Sequence, residues 1–491
     1  MAGGKAGAPP LDGKLLAVAL IVALGSFTVV LDMTIVGVAL HTVSDHFGVG
    51  LSTTQWVTTA YILSTAMVVP LTGWATDRFG GRRLWLSAVL LFTVSSVACG
   101  LAWSAGSLIA LRVLQGIGAG LMAPVGTALV ARAAGPERMG RAMGLMGIAI
   151  VFAPVLGPVV GGVLVDAGSW RWIFFLNLPI GLIALALAWV FFDRNQPTRP
   201  DPIDRIGFLL LCPGITLLVF GLANVTSVDG LTRPGFLLPT LGGAALSALF
   251  VWHALRTEKP LLDLRLFRNR TFSATVATQF LMNATLSGSM MLFPLYFQLV
   301  RDVSPLASGL LLVPEGIGVA MTMPITGRLV DRGKSGLVIL CGLPALVVGF
   351  FSFTQAGADA SYLRLALSLW LIGVGAGCTI MPAMSTAYRA LGPMEIPRAS
   401  ATFSIAQEVG ASGAVALFVV VLDAQLRTNP GAAAFDTSFW LPLALTLLVL
   451  LPALLVARAA ARRAAEDAAA KAAAESDDKS EDDAGELATT R

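Results

Sequence analysis

The chain has 491 residues, of which 56% are hydrophobic and only 13% charged, and it carries a formal net charge of +4. A soluble chain holds about 25% charged residues and at this length divides into several domains, so an ordinary soluble enzyme, a secreted domain and a disordered protein are all excluded. The composition is that of a polytopic membrane protein.

A helix needs about 20 apolar residues to cross the hydrocarbon core. Fourteen segments meet that length, at 15–40, 55–74, 84–103, 107–131, 142–165, 173–192, 207–224, 235–254, 273–299, 306–327, 336–354, 363–388, 399–422 and 438–457. The first is too long for a signal-peptide core and has no small-residue cleavage site, so it is expected to stay as the first spanning helix. With the N-terminus in the cytoplasm, inner segments hold 21 Lys and Arg, against five outside (Arg171, Arg233, Arg301, Arg364 and Arg427), the tail aside. That bias predicts both termini in the cytoplasm. From residue 464 on, nine acids and three bases give a tail of −6 and leave the rest at +10. The basic balance therefore reflects membrane topology, and no nucleic-acid partner is expected. The cysteines Cys99, Cys212, Cys341 and Cys378 lie inside apolar runs and read as packing residues, with no metal.

Gly73-Trp-Ala-Thr-Asp77-Arg78 ends the second span and Gly327-Arg-Leu-Val-Asp331-Arg332 ends the tenth, 254 residues later. Two copies at the same topological place predict a duplicated six-helix unit with two helices inserted. The expected division is 1–14 as an inner N-terminus, 15–192 and 273–457 as six-helix bundles, 193–272 as the inserted pair with its linkers, and 458–491 as a charged Ala-rich tail. Internal repeats of this kind mark secondary transporters, whose substrate lies between the halves. Gly327 through Gly333-Lys334-Ser335 has five intervening residues where a phosphate loop has four, and it leaves a membrane span. No cofactor is expected; the energy source would be a proton gradient.

An ionisable residue inside a span costs about 2.5–3.5 kcal/mol on insertion scales and calls for a reason. Asp32 and Arg112 fall at similar depth in antiparallel spans; they read as a protonatable carboxylate with its tuning guanidinium, or as a static ion pair. Glu315, after Pro314 near the middle of span 10, reads as a second proton or cation site or as a packing group. Glu408 is a titrating or cavity group, or a solvated one. Asp77, Arg78, Arg82 and Arg83 around Gly80, with Gly73 and the second copy Asp331-Arg332, suit a gate whose charge contacts form in one conformation and break in the other, or plain anchoring. Pro154, Gly157, Pro158, Gly161 and Gly162 combine a kink with a small-residue face that could seal the route between the halves. Gln55, Trp56, Tyr61, Gln115, Gln279, Asn283, Tyr296 and Gln298 are candidate cavity residues.

Leu31 through Leu40 resembles the first-helix signature of the fourteen-helix drug/proton antiporters of the major facilitator superfamily. Gly73 through Arg83 resembles that superfamily's loop 2–3 motif, and Arg112-Val-Leu-Gln115-Gly116-Ile-Gly118 its fourth-helix motif, in which the arginine is tied to proton transfer. Gly157 through Gly162 is similar to the fifth-helix antiporter motif, and Ser169-Trp170-Arg171-Trp172 through Asn177-Leu-Pro179 to the start of helix 6. Gly37 departs from the pattern, where the family more often has Asn. The resemblance covers the chain to about residue 457 and implies the major facilitator fold. It also implies export of hydrophobic, often cationic, compounds in exchange for protons, by a monomer in a bacterial inner membrane. An exporter of one endogenous metabolite is the alternative. A membrane enzyme fails on inventory, because His41, His46 and His253 all lie near span ends with no nucleophile or metal set among them.

Overall fold

The computed structural model describes residues 12–489 apart from 167, 195–201, 226, 393 and 430; some helical side chains, among them those of Pro154, Pro158 and residues 467–489, also lie outside the described set. The described residues are helical throughout, with no strand among them. In chain order the helices are α1 (Gly13–Phe47), α2 (Leu51–Val68), α3 (Thr72–Phe79), α4 (Gly81–Gly100), α5 (Ala105–Asp166), α6 (Trp172–Phe175), α7 (Asn177–Phe191), α8 (Arg205–Ala223) and α9 (Pro234–Arg256). They continue as α10 (Arg270–Leu299), α11 (Pro305–Leu311), α12 (Val313–Asp331), α13 (Ser335–Phe353), α14 (Tyr362–Arg389), α15 (Ile396–Thr428), α16 (Ala432–Ser438) and α17 (Trp440–Thr489).

Thirteen helical stretches among the described residues are long and apolar enough to cross a membrane. Fourteen were expected. The missing one, 142–165, is the second limb of α5, which turns back at Gly135 and carries several of the undescribed side chains. Gly135 has φ +61°, a left-handed conformation that a side chain would oppose.

The first bundle is α1 to α7, with α5 packed on α1, α2 and α4. The second is α10 to α17, with α14 packed on α12 and α13, and α10 on α15 and α17. One core cluster, with Trp85, Phe92 and Met122, continues into Phe272, Tyr388 and Phe403 of the second bundle, while a second, with Phe293, Phe350, Phe353, Phe435 and Phe439, lies within the second bundle alone. The inserted pair pack on each other; α8 also touches α2 of one bundle and α15 of the other. Leu238, Leu241, Trp252 and Leu255 leave α9 with an exposed apolar face, suited to lipid. At its base Asp204 caps α8 through the Gly207 amide (2.8 Å), meets His253 Nε2 (2.8 Å) and accepts from the Leu261 amide (3.2 Å).

The bundles meet along α5 and α12. A Cβ on Gly140 would stand 2.6 Å from the Gly327 carbonyl oxygen, and one on Gly327 2.9 Å from the Gly140 carbonyl oxygen. Gly144 lies as closely against the Met323 carbonyl, and Gly73 against the Arg398 backbone. Glycine here is a condition of contact between halves. The described ends of the chain share this face: Asp12 pairs with Arg138 (2.9 Å), and Ala464 of α17 lies beside Gly333.

Candidate functional site

Asp32 is fully buried at the meeting of α1, α2, α4, α5 and α7. Arg112, also fully buried, donates from NH1 to Asp32 Oδ2 at 2.5 Å and to Gln115 Oε1 at 2.9 Å. Its Nε donates to the Val57 carbonyl at 3.0 Å. The guanidinium carbon lies 4.0 Å from the centre of the Tyr61 ring and 5.9 Å from that of Phe174. Asp32 Oδ1 accepts from Gln115 Nε2 at 2.9 Å and from Asn177 Nδ2 at 2.7 Å. Two opposite charges taken out of water are tolerable when further hydrogen bonds satisfy their remaining atoms, and here both carboxylate oxygens are engaged.

The site lies within one bundle, so the two limbs of the first half fold around it. Gly157 and Gly161 press on Thr34 and Ile35 of α1, one turn from Asp32. This small-residue face packs against α1 of its own half, while a Cβ on Gly162 would meet nothing within 4 Å. Pro154 and Pro158 lie outside the described side chains.

A second set of charges joins the halves. Asp331 has a side chain 1% exposed and accepts from Arg141 Nε at 2.6 Å, from the Gly140 amide at 2.8 Å and from Arg389 at 3.5 Å. Asp77 stands 3.7 Å from both Arg132 and Arg398. Each aspartate thus faces one arginine of its own half and one of the other half. Sequence reading chose Asp77 and Asp331 and missed all four arginines. The signal was present: Arg389 follows Arg132 by 257 residues, and Arg398 follows Arg141 by the same 257. Arg82 does not join Asp77; it donates to the Trp189 carbonyl at 2.5 Å and lies 5.2 Å from the centre of that ring. Arg78, Arg83 and Arg332 are exposed. Gly80 has φ +82° at the turn from α3 into α4.

The other expected residues scatter. Gln115 belongs to the carboxylate site, and Tyr61 lies buried beneath Arg112. Tyr296 is not a cavity residue: it is fully buried among Phe297, Phe353, Phe435 and Phe439, and its hydroxyl donates to the Gly357 carbonyl at 2.8 Å. Trp56 is 44% exposed and leans on Phe220 of α8, and Gln55 is exposed beside it. Gln279 is fully buried, Asn283 donates to its carbonyl at 3.1 Å, and Gln298 is half-buried. Glu315 lies in the first turn of α12, within the continuous apolar stretch Ala307–Asp331. Glu408 lies on α15 within electrostatic reach of Tyr61 in the other half. No group of three or more His, Cys, Asp or Glu among the described residues could hold a metal. Asn177 and Ser96 were not chosen as site residues, although Asn177 stood in the quoted helix-6 segment.

The family profile for the Major Facilitator Superfamily matches residues 22–415. Over 420 residues the chain is 40% identical to the multidrug resistance protein B homolog of Mycobacterium tuberculosis, covering 85% of this chain and 78% of that protein. It is 32% identical over 410 residues to the multidrug export protein EmrB of Haemophilus influenzae, covering 82% and 80%. Among solved structures, the human organic anion transporter MFSD10 superposes with a TM-score of 0.61 at 18% identity, over 91% of this chain and all (100%) of that one. The proton:xylose symporter XylE superposes with a TM-score of 0.62 at 15% identity, over 90% and 95%. These two likenesses speak to fold.

Proposed function

This chain belongs to the Major Facilitator Superfamily, to a family of multidrug efflux transporters within it, and we propose that it is a proton-coupled antiporter exporting hydrophobic, often cationic, compounds by alternating access. The observation that carries this reading is the Asp32 site: a carboxylate with no exposed surface, held by one guanidinium and two carboxamides. Proton uptake cancels half of a buried ion pair and biases the chain toward the state that releases a cation. Proton loss restores the attraction.

The two-aspartate set is the gate in this scheme. Asp331 and Asp77 hold the halves together on the face that bears the chain's described ends, and opening that face requires both to let go. We place that face in the cytoplasm of a bacterium and the carrier in its plasma membrane, with fourteen spans counting the second limb of α5. The chain would work as a monomer. Glu315 and Glu408 would serve as sites for a cationic substrate or a second proton.

The test uses protein in liposomes with an acidic lumen, a panel of lipophilic cations and neutral drugs, and a pH dye. Drug-triggered proton release is expected from the native chain and not from Asp32→Asn. Equal release by both would overturn the assignment of Asp32, and no release with any compound would overturn drug antiport.

A further inference from the structure

The three groups that bond Asp32 are all donors: Arg112 NH1 on Oδ2, and Gln115 Nε2 and Asn177 Nδ2 on Oδ1. That suits a carboxylate and cannot suit a carboxylic acid, whose new O–H needs an acceptor. Arg112 has none to offer. Gln115 has one, but its Oε1 already accepts from Arg112 NH1 at 2.9 Å and from Cys99 Sγ at 3.6 Å. Turning that carboxamide over would put its N–H2 against the guanidinium, so Gln115 is pinned.

Asn177 is not pinned. Its Nδ2 donates to Asp32 Oδ1 at 2.7 Å and to Ser96 Oγ at 3.0 Å. Ser96 in turn donates to the Phe174 carbonyl at 2.9 Å. A hydroxyl is both donor and acceptor and rotates freely between the roles. We propose that Asn177 is the positioning residue that registers the charge of Asp32: its carboxamide turns over when Asp32 takes up a proton, and Ser96 turns with it. With Asp32 ionised, an amide oxygen facing the carboxylate would be repelled, so Nδ2 faces it. With Asp32 protonated, Oδ1 of Asn177 accepts the carboxyl O–H, and the Ser96 hydroxyl swings from the Phe174 carbonyl to that same oxygen. No bond to carbon changes; one proton enters and two hydrogen bonds reverse.

The reversal matters because of where it occurs. Asn177 opens α7, and Phe174 lies three residues before it in α6; with helical backbone angles at Leu176 the two run on as one span, Trp172–Phe191. Ser96 is therefore a tie between α4 and the start of that span, and the Phe174 ring also faces Arg112. Loss of the Ser96 bond frees the Phe174 carbonyl at the moment the ion pair is neutralised. The titratable groups around Asp32 are Arg112 on α5, Tyr61 on α2 and Cys99 on α4, with Glu408 reaching Tyr61 from α15. Of the groups hydrogen-bonded to Asp32, only Asn177 can exchange a donor for an acceptor without disturbing the guanidinium.

This inference rests on the proton-carrier reading of Asp32, and pH-difference infrared spectroscopy of the full chain in liposomes separates the two. The carboxylic-acid band of Asp32 is the one lost in Asp32→Asn. In Asn177→Leu that band should persist and move to higher wavenumber, because its O–H has lost an amide acceptor. In the native chain grown with side-chain 13C-labelled asparagine, a label-sensitive amide band should appear with the same pH midpoint, which needs no variant to fold. An unmoved carboxyl band in Asn177→Leu, or no label-sensitive band, overturns the proposal while leaving Asp32 as the carrier. Absence of any Asp32-dependent band overturns both.

Discussion

Replacing Asp331 with asparagine should open the closed face. The carboxylate accepts Arg141 Nε at 2.6 Å and the Gly140 amide at 2.8 Å, with Arg389 at 3.5 Å, and its side chain is 1% exposed. Asparagine keeps one acceptor oxygen, which the Gly140 amide can claim, and sets an N–H2 against Arg141. A hydrogen bond to a charged group contributes about 1.5–3 kcal/mol, and breaking a fully buried ion pair costs about 3–5 kcal/mol. Arg141 and Arg389 are 19% and 21% exposed, so water meets part of their demand. The loss should therefore fall near ~2–3 kcal/mol, which lowers the closed-to-open ratio roughly 30- to 150-fold. Spin labels at Arg83→Cys and Lys334→Cys, exposed positions on the two halves, read that ratio by pulsed electron resonance in a background without Cys341. The Asp331→Asn chain should show a longer-distance population on this face. A distance distribution matching the native one, with folding intact, would refute the gate reasoning.

Gly140→Val should obstruct the same face sterically, since its Cβ would meet the Gly327 carbonyl at 2.6 Å; drug efflux should fall with expression unchanged, and native efflux would count against close approach as a requirement. Arg112→Lys keeps the charge but cannot reproduce the fork to Asp32, Gln115 and the Val57 carbonyl, so coupled proton release should drop about tenfold or more. The third expectation concerns the inserted pair. Arg427 lies 2.8 Å from Asp229 and holds its carboxyl below the ordinary 3.8. A lowered value means this contact is fully present above 3.8 and is lost only as pH falls through the lowered value. Asp229→Asn should therefore leave the pH profile of transport near neutrality unchanged, and a shifted profile would show that the Asp229–Arg427 contact takes part in coupling.

How far the sequence was legible depends on what kind of force set each feature. Hydropathy announces spanning helices, because burial in lipid tolerates little else, and the G-x-x-x-D-R repeat announced two related halves. Asp32 and Arg112 could be set at one depth because two antiparallel helices share a membrane. Asn177 was hidden by its chemistry: it is an uncharged carboxamide near the start of the apolar span 173–192, with no charge to mark it out. Tyr296 misled for the opposite reason. A hydroxyl inside a span looks functional, yet a single carbonyl on a nearby loop satisfies it and the ring is then free to be core. Trp56 was named a candidate cavity residue, and its ring leans on the inserted helix α8, a partner no periodicity within α2 can reveal.

The repeat itself shows which features belong to the scaffold and which to the Asp32 site. Gly116 and Gly120 press on the backbone at Tyr61 and Thr65 of α2, and Gly118 on that at Ala88 and Phe92 of α4. In the second half, 257 residues on, Gly373 presses on the Glu315 backbone, Gly375 on Gly342 and Leu346, and Gly377 on Val319 and Thr322. Those partners are the first-half positions displaced by 254 residues, so the close helix packing is inherited by both copies. The ionisable site is not. Displacement by 257 carries Arg112 to Leu369 and Gln115 to Ile372, both apolar, and displacement by 254 carries Tyr61, the ring under the guanidinium, to Glu315. Glu315 is thus an acid at the place where the first half has an aromatic ring, and its own half offers no arginine at the equivalent of Arg112. One half therefore holds a carboxylate balanced by a fixed cation, and the other holds a carboxylate whose equivalent cation position is leucine. That asymmetry, an acid without a matching arginine in one half and an acid paired with one in the other, is the main chemical difference between two otherwise repeated scaffolds.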